Sequence, residues 1–558
     1  KYRRTTAKMS GSASISEKIR AQGSVTYTKS GGDRIQQGSN LSGVMLGLVR
    51  TPPSFDNANH YDDPVDEPLA YSFPDGTQRN YRGGGGYDNP YWTVNKNILT
   101  DNVNRVIASA TFDYKPWEWM TVTYRLGNDF YNDRRDYYFA EYSRAFPDGQ
   151  VSDDNHFLRD INSDLIINVR RKLMEDLELD FTVGHNMYQH YYKQQYQQGD
   201  GLAVPEFYHI SNTRSVIART YIEKWRTAAF YGDLGLGYKS MLFMNITARN
   251  EWATTLPQDN NSFFYPSFST GFVFTELPGL QDNNILPFGK LRASYAIVGN
   301  IADPYRTLSY YASAAVGDGW TAGLAFPYMG TPGFQLEGTI TDPELQHEQL
   351  KAFEVGLDLR FFDNRIGLDF SYYNNQHEEL LLNVPVAAST GFQTLYTNAA
   401  KMENTGIEVL ARGTPFKTEN FQWDLTVNFA QNNNEVLELA EGVENVYVGG
   451  FTDPQIRAVV GKSYGYIYGT KFLYDANGNY IIQDDPNAPN YGYPVSDPEV
   501  GDIGPTLPDW TMGVTNNFRY RNVNLSYLWE FMQGGYMWNG TRGARDYLGT
   551  HADSEKRN

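Results

Sequence analysis

The sequence predicts an all-β protein, a transmembrane antiparallel β-barrel, on three observations. Apolar and polar residues alternate with period two in paired runs. The face opposite each apolar row carries charge. Short and long connections follow one another along the chain. The clearest run is Phe353, Val355, Leu357, Leu359 and Phe361 against Glu354, Gly356, Asp358 and Arg360. Asp363-Asn364 supplies residues that tolerate a tight turn, and Ile366, Leu368, Phe370 and Tyr372 resume against Gly367, Asp369 and Ser371. A second hairpin sets Ile407, Val409 and Ala411 before Trp423, Leu425, Val427 and Phe429, with Glu408, Arg412, Asp424, Thr426 and Asn428 between them. A soluble sandwich buries its apolar face, whereas a membrane barrel turns that face to lipid and lines its lumen with polar groups.

Taken in order, the elements sort their connections by length. Alternation is under way at Met9, Gly11, Ala13 and Ile15, and Ser16–Lys18 is a short turn. Residues 30–102 read as a long loop. Val106, Ala108, Ala110 and Phe112 then pass through Lys115–Glu118 to Met120, Val122, Tyr124 and Leu126. A long loop is expected around Phe146–Gly149, before Leu165, Ile167 and Val169. Lys172–Asp176 leads to Leu177, Leu179, Phe181 and Val183, and another long loop is expected before Phe230. Lys239-Ser240 joins Leu234, Leu236 and Tyr238 to Leu242, Met244, Ile246 and Ala248. Further strands lie at Phe268–Phe274 and Leu291–Ile297. Residues 300–350 and 432–510 are long loops, and Arg521-Asn522 turns Met512, Val514 and Phe518 into Val523–Phe531. Short turns at one rim and long loops at the other mark a membrane barrel, while Greek-key crossovers of a sandwich would mix them. The reading gives about 16 strands, many long enough to span a bilayer at a tilt.

Composition agrees. The chain has 558 residues, 41% hydrophobic, with 42 Tyr, 31 Phe, 10 Trp and 51 Gly. Mean hydropathy is −0.54, and no apolar run of the roughly 20 residues a membrane helix needs is present. Amphipathic aromatics are what a bilayer interface selects. Net charge is −18, with acid gathered in Asn59–Pro68 and Asp484–Glu499, which argues against a nucleic-acid partner. The chain has no cysteine, so disulfides, zinc–thiolate sites and thiol catalysis are excluded from it.

Chemical motifs are few. None of the eight His belongs to a His-Glu-x-x-His pattern, and His185 and His190, five apart on a strand, point to opposite faces. Asp475-Ala-Asn477-Gly478-Asn479 has its Gly two places early for a calcium loop and reads as a hairpin tip. Gly83–Gly86 lacks the lysine of a phosphate loop. No Ser/His/Asp arrangement emerges, no enzyme activity is expected, and neither metal nor cofactor is called for. The inward carboxylates Glu354, Asp358, Asp369 and Glu408 read as a solvated lumen wall rather than a general acid pair. For substrate binding the candidates are loop aromatics set among Asp and Asn: Tyr87, Tyr91, Trp92 and, beside Gly317-Asp318-Gly319, Trp320. Sugar rings or peptides stack on such faces while polar neighbours satisfy their hydroxyls or amides; packing within the loop, or contact with a partner, is the competing use.

Several stretches carry a resemblance. Arg249–Glu276, Leu291–Asn300, Thr341–Leu382 ("TDPELQHEQLKAFEVGLDLRFFDNRIGLDFSYYNNQHEELLL"), Asn398–Pro415 and Val460–Tyr480 are similar, in this order, to the barrel of SusC/RagA-type TonB-dependent transporters. The resemblance implies an outer-membrane importer of large nutrients, glycans or oligopeptides. It also implies a SusD-like surface lipoprotein as partner, and a TonB complex engaged through an N-terminal part. It lacks counterparts here for the plug domain, the TonB box and the final strand. The family's barrel has 22 strands with both ends periplasmic. The expectation is therefore an incomplete barrel, residues 1–558 without a plug, whose first strand is even-numbered and whose last is odd-numbered. The alternatives are a porin or siderophore-type receptor, which needs no lipoprotein, and a soluble all-β carbohydrate-binding surface protein.

Overall fold

The computed structural model describes residues 1–36, 42–58, 71–83, 86–281, 283–316 and 324–555. Its dominant feature is one seventeen-stranded sheet. One member, Thr339–Thr341, is a three-residue piece lying parallel to the wall at Thr394–Tyr396. The other sixteen are long and antiparallel, each paired with its neighbour in sequence. We number them β1 (Arg3–Ser14), β2 (Ile19–Arg34), β3 (Ile98–Trp117), β4 (Met120–Glu141), β5 (Asp148–Met174), β6 (Leu177–Leu202), β7 (Thr213–Tyr238) and β8 (Leu242–Ala253). The second half comprises β9 (Ser262–Val273), β10 (Phe288–Asn300), β11 (Glu348–Phe361), β12 (Ile366–Pro385), β13 (Thr394–Lys417), β14 (Phe421–Glu438), β15 (Trp510–Tyr520) and β16 (Val523–Gln533). No described helix is long and apolar enough to cross a membrane.

The turns form where the residues allow. Lys239 and Ser240 adopt φ of 51° and 54°, and Asp363 and Asn364 adopt 52° and 65°. Asn and Asp tolerate this left-handed region through local hydrogen bonding. Register then follows the alternation. On β8, Asn245 Nδ2 donates to Asp233, Thr247 meets Ser267, and Arg249 pairs with Glu251 at 2.7 Å. These residues share the inner face, so Met244, Ile246 and Ala248 point outward, and Ile246 is exposed. Val523, Leu525 and Trp529 of β16 are likewise exposed on the outer face.

Because neighbours are antiparallel, the connections divide between two rims. Residues 15–18, 118–119, 175–176, 239–241, 362–365, 418–420 and 521–522 lie at one rim, and so does the longer 274–287. Residues 35–97, 301–347 and 439–509 share the other. Two expectations are corrected here. The long loops anticipated around Phe146–Gly149 and between Val183 and Phe230 are the short connections 142–147 and 203–212. The strands run on instead, β5 for 27 residues and β6 for 26. The outer rows explain the misreading. Leu177, Leu179, Phe181 and Val183 give way to Gln189, Lys193, Gln195 and Gln197, so the outside of the wall is polar above the apolar band. The segment 301–347 also contains short strands, and 439–509 builds its own four-stranded sheet.

The wall curls. Helix α1 (Val44–Arg50) follows β2, and helix α3 (Gly540–Tyr547) follows β16, at opposite ends of the sheet. The two helices touch, and Thr550 Oγ1 donates to Val49 O at 3.4 Å. Among the described residues, β1 pairs only with β2 and β16 only with β15, so the barrel is open along one seam.

Candidate functional site

The inner wall is a cross-strand polar lattice. Arg292 of β10 reaches across β11 to Asp369 at 3.2 Å and also approaches Glu354 at 3.5 Å. It lies over Gly356, where a Cβ would collide with it. Arg360 pairs with Asp358, and Arg105 Nε donates to Asp129 at 2.9 Å. Charges partnered in this way line a polar barrel interior at little cost, because each keeps its hydrogen bonds.

Two regions of the wall stand out. Along β4–β7, at and above the upper edge of the apolar band, aromatic rings and acids interleave. His190 Nδ1 lies 2.7 Å from Asp160 and Nε2 lies 3.5 Å from Glu223. The Trp225 ring stacks on His190 with centroids 5.3 Å apart, and Tyr188 leans on Trp225 at 5.0 Å. His156 Nδ1 lies 2.6 Å from the Tyr192 hydroxyl, and its other nitrogen lies 3.0 Å from Asp154. Sequence reasoning missed this patch because most of it falls where a loop was expected. The signal was present in period two: Tyr188, His190, Tyr192, Gln194, Tyr196 and Gln198 all carry even numbers on β6. His185 turns outward onto Phe230 at 4.7 Å, so the two histidines do take opposite faces.

The second region is a recess of about 490 Å³ on β10–β14, lined by Tyr373, Asn375, Asn404, Asn432, Glu354 and Glu408 above small residues.

The three described loop candidates lie together around one short helix but differ in exposure. Helix α2 (Pro90–Lys96) opens on Asn89, whose side chain accepts from Tyr91 N at 2.9 Å. Tyr91 is exposed. Trp92, expected to offer a free face, is 2% exposed. Its indole N–H donates to Ser143 Oγ and its edge meets Tyr71, so it packs the loop. The alternation that reveals strands gives no such warning in a loop. Tyr87 carries the Arg50 guanidinium 4.4 Å over its ring. Trp320 and its flanking Gly317–Gly319 lie outside the described residues, as do Asn59–Pro68 and Gly84-Gly85. Under this cluster Asp88 accepts from Ser42, from Gln78 at 2.7 Å and from Arg144 N at 2.7 Å. Burial raises its carboxyl against the pull of these donors. Nearby, burial pushes the Tyr208 phenol up to about 12. Asp475–Asn479 is a hairpin tip, with Asp475 Oδ1 accepting from Asn477 N and Asn479 N and Gly478 at φ 81°.

The curled, outward-apolar and inward-polar sheet defines an outer-membrane β-barrel, and the chain belongs to the "TonB dependent receptor-like, beta-barrel" family, which it matches over residues 47–555. That family is one of receptors and transporters. Within it the resemblance is to the SusC/RagA type. SusC of Bacteroides thetaiotaomicron is 23% identical over 549 residues, 89% of this chain and 50% of that protein. A TonB-dependent receptor of Formosa agariphila is 28% identical over 60% of this chain and 34% of its own length. A structure of the RagAB peptide importer superposes with a TM-score of 0.78 at 16% identity, over 97% of this chain and 59% of that one. The chain thus spans half or less of the curated relatives it matches.

Proposed function

We propose that this chain is the barrel part of a SusC-like TonB-dependent importer that moves large nutrients, glycans or oligopeptides, across the outer membrane. The observation that carries the reading is the continuous inner wall of polar and aromatic side chains, which rises on β4–β7 past the apolar band toward the rim of long loops. A wall of this kind offers a hydrated ligand a succession of hydrogen-bond partners and ring faces, so it need not be desolvated at once. The names of the relatives support it, since RagAB is a peptide importer. On this reading the rim of 35–97, 301–347 and 439–509 is extracellular and meets a SusD-like surface lipoprotein, while a TonB complex supplies energy from the periplasm. Tyr91 is the loop ring we assign to substrate contact, with Tyr87 beside it under the Arg50 guanidinium.

Deleting the gene in its host and following uptake of labelled oligosaccharides and oligopeptides tests the proposal. Loss of uptake of one class, restored by the gene, is expected. Unchanged uptake of every class contradicts it. Copurification of a surface lipoprotein with the native complex separates this reading from a porin or siderophore-type receptor.

A further inference from the structure

We propose that the outer face of β5–β7, just above the apolar band, holds the phosphate-bearing headgroup of an outer-leaflet glycolipid. Arg159, Lys193, Lys224 and Arg226 grip it around the Tyr191 ring. The inference goes beyond transport and rests on the importer reading at one point, that the rim of long loops is extracellular.

Register places the patch. The outward row of β6 runs Leu177, Leu179, Phe181, Val183, His185, Met187, then Gln189, Tyr191 and Lys193. Tyr191 lies opposite Arg159 on β5 and Lys224 on β7, and Gln189 lies opposite Arg226, so all share that face. About ten residues at roughly 3.3 Å each, tilted by about 40°, climb roughly 25 Å, the height of an apolar band. Leu177 to Met187 covers that climb. Tyr191 and its cations therefore stand in the hydrated headgroup layer. Lys224 and Arg226 are exposed there, and Arg159 and Lys193 are half-buried.

Charge sets the patch apart. Among the described residues none of the four cations makes an ion pair or a side-chain hydrogen bond, and Arg159 Nε is buried without an acceptor. Elsewhere on the outer face basic groups are neutralised. Arg134 meets Asp136 at 3.0 Å, and on β11–β13 Glu378 takes both Lys351 and Lys401. The outward acids of β4 and β5, Asp136 and Asp153, face each other roughly 13 Å further up the strands than Lys193. In a chain of net charge −18, four unpaired cations side by side call for an anion from outside.

The geometry names its chemistry. Arg159 Cζ stands 5.8 Å and Lys224 Nζ 5.3 Å from the Tyr191 ring centroid, so two cations flank one ring. Phe157 meets the same ring edge-on at 6.0 Å, which holds it on the wall. Among the described residues the Tyr191 hydroxyl has no partner. A phosphate oxygen takes guanidinium and ammonium donors together, and the phenol and the Gln189 and Gln195 amides on the same face suit the hydroxyls of the sugar that carries it. The outer leaflet of an outer membrane supplies that ligand, a phosphorylated glycolipid whose acyl chains lie along the apolar band beneath.

The full-length protein in detergent micelles, titrated with a phosphorylated lipid A-type glycolipid, its dephosphorylated form, phosphatidylglycerol or inorganic phosphate, tests the assignment. Binding of the phosphorylated glycolipid is expected, weakened tenfold or more by dephosphorylation. Arg159→Gln, Lys193→Gln, Lys224→Gln and Arg226→Gln combined should weaken it as much, with an unchanged unfolding midpoint. Arg171→Gln with Lys239→Gln, at the rim of short turns, should bind as wild type. A photoreactive residue in place of Gln195 should cross-link to glycolipid in native membranes. Equal binding of the dephosphorylated form, full binding by the fourfold variant, or no binding overturns the proposal. So does equal competition by phosphatidylglycerol or inorganic phosphate, or a cross-link to a protein. Any of these alongside active nutrient uptake leaves the importer reading standing, whereas a cross-link to inner-leaflet phospholipid overturns the orientation and both readings with it.

Discussion

The indole N–H of Trp92 donates to Ser143 Oγ at 3.0 Å and joins the loop after β2 to the connection between β4 and β5. Ser143 in turn donates to Asn97 Oδ1 at 2.7 Å, so one hydroxyl closes a buried path from α2 to the wall. Trp92→Ala removes a fully packed ring. It should destabilise this loop cluster by about 3–5 kcal/mol. Proteolysis of 35–97 should quicken while the transmembrane strands remain protected; equal protection in variant and wild type would contradict the packing role.

Ile246 lies on the outer face of β8, between strands that pair on both sides. An arginine placed there meets hydrocarbon, so Ile246→Arg should cost about 2–4 kcal/mol, whereas a charge at the inner neighbour Thr247 should cost far less. Urea unfolding in lipid vesicles measures both. Equal costs would place both faces in water.

His347, at the foot of the 301–347 connection, stacks on Phe263 at 4.7 Å and meets Tyr265 edge-on. Burial lowers its proton affinity below the ordinary value near 6.5. The unfolded segment therefore holds more protons between the two values. The stabilisation is full above about pH 6.5 and is lost as pH falls through the folded value. Amide protection around His347, corrected for the intrinsic exchange rate, should fall as pH drops from about 6.5 through the folded value, and His347→Phe should remove the effect. A loss of protection that persists in the variant would assign it to another group.

Much of the barrel was legible because a membrane strand writes its orientation into every second residue. Met244, Ile246 and Ala248 against Asn245, Thr247 and Arg249 leave one register that keeps charge from lipid. The rule lost its contrast above the bilayer, where both faces of β5 and β6 are polar. Gln189, Lys193 and Gln197 outside face water just as His190 and Gln194 inside do, so the strand extensions read as loop. The candidate site suffered for the same reason. For Trp92 the sequence leaves ligand stacking and loop packing both open, because loop residues show no periodicity to reveal burial. The Tyr373–Asn432 pair needs three strands in register before its atoms meet.

Position 225 offers a further check. Trp225 covers one face of His190 while Asp160 and Glu223 hold its nitrogens. Trp225→Ala should release the ring and weaken substrate uptake several-fold without altering the unfolding midpoint. Unchanged uptake would remove the β4–β7 wall from the substrate path.

Within the apolar band one face of each strand meets lipid and the other lines the polar interior of the barrel. The chain has no cysteine, so single cysteines along β8 report on each position alone. Introduced one at a time at 244–249 in protein reconstituted in vesicles, they should alternate. Those at 245, 247 and 249 should react with a charged, water-soluble maleimide, and those at 244, 246 and 248 should resist it while being quenched by brominated lipid when fluorescently labelled. Uniform reactivity along the strand, or the opposite alternation, would contradict the account.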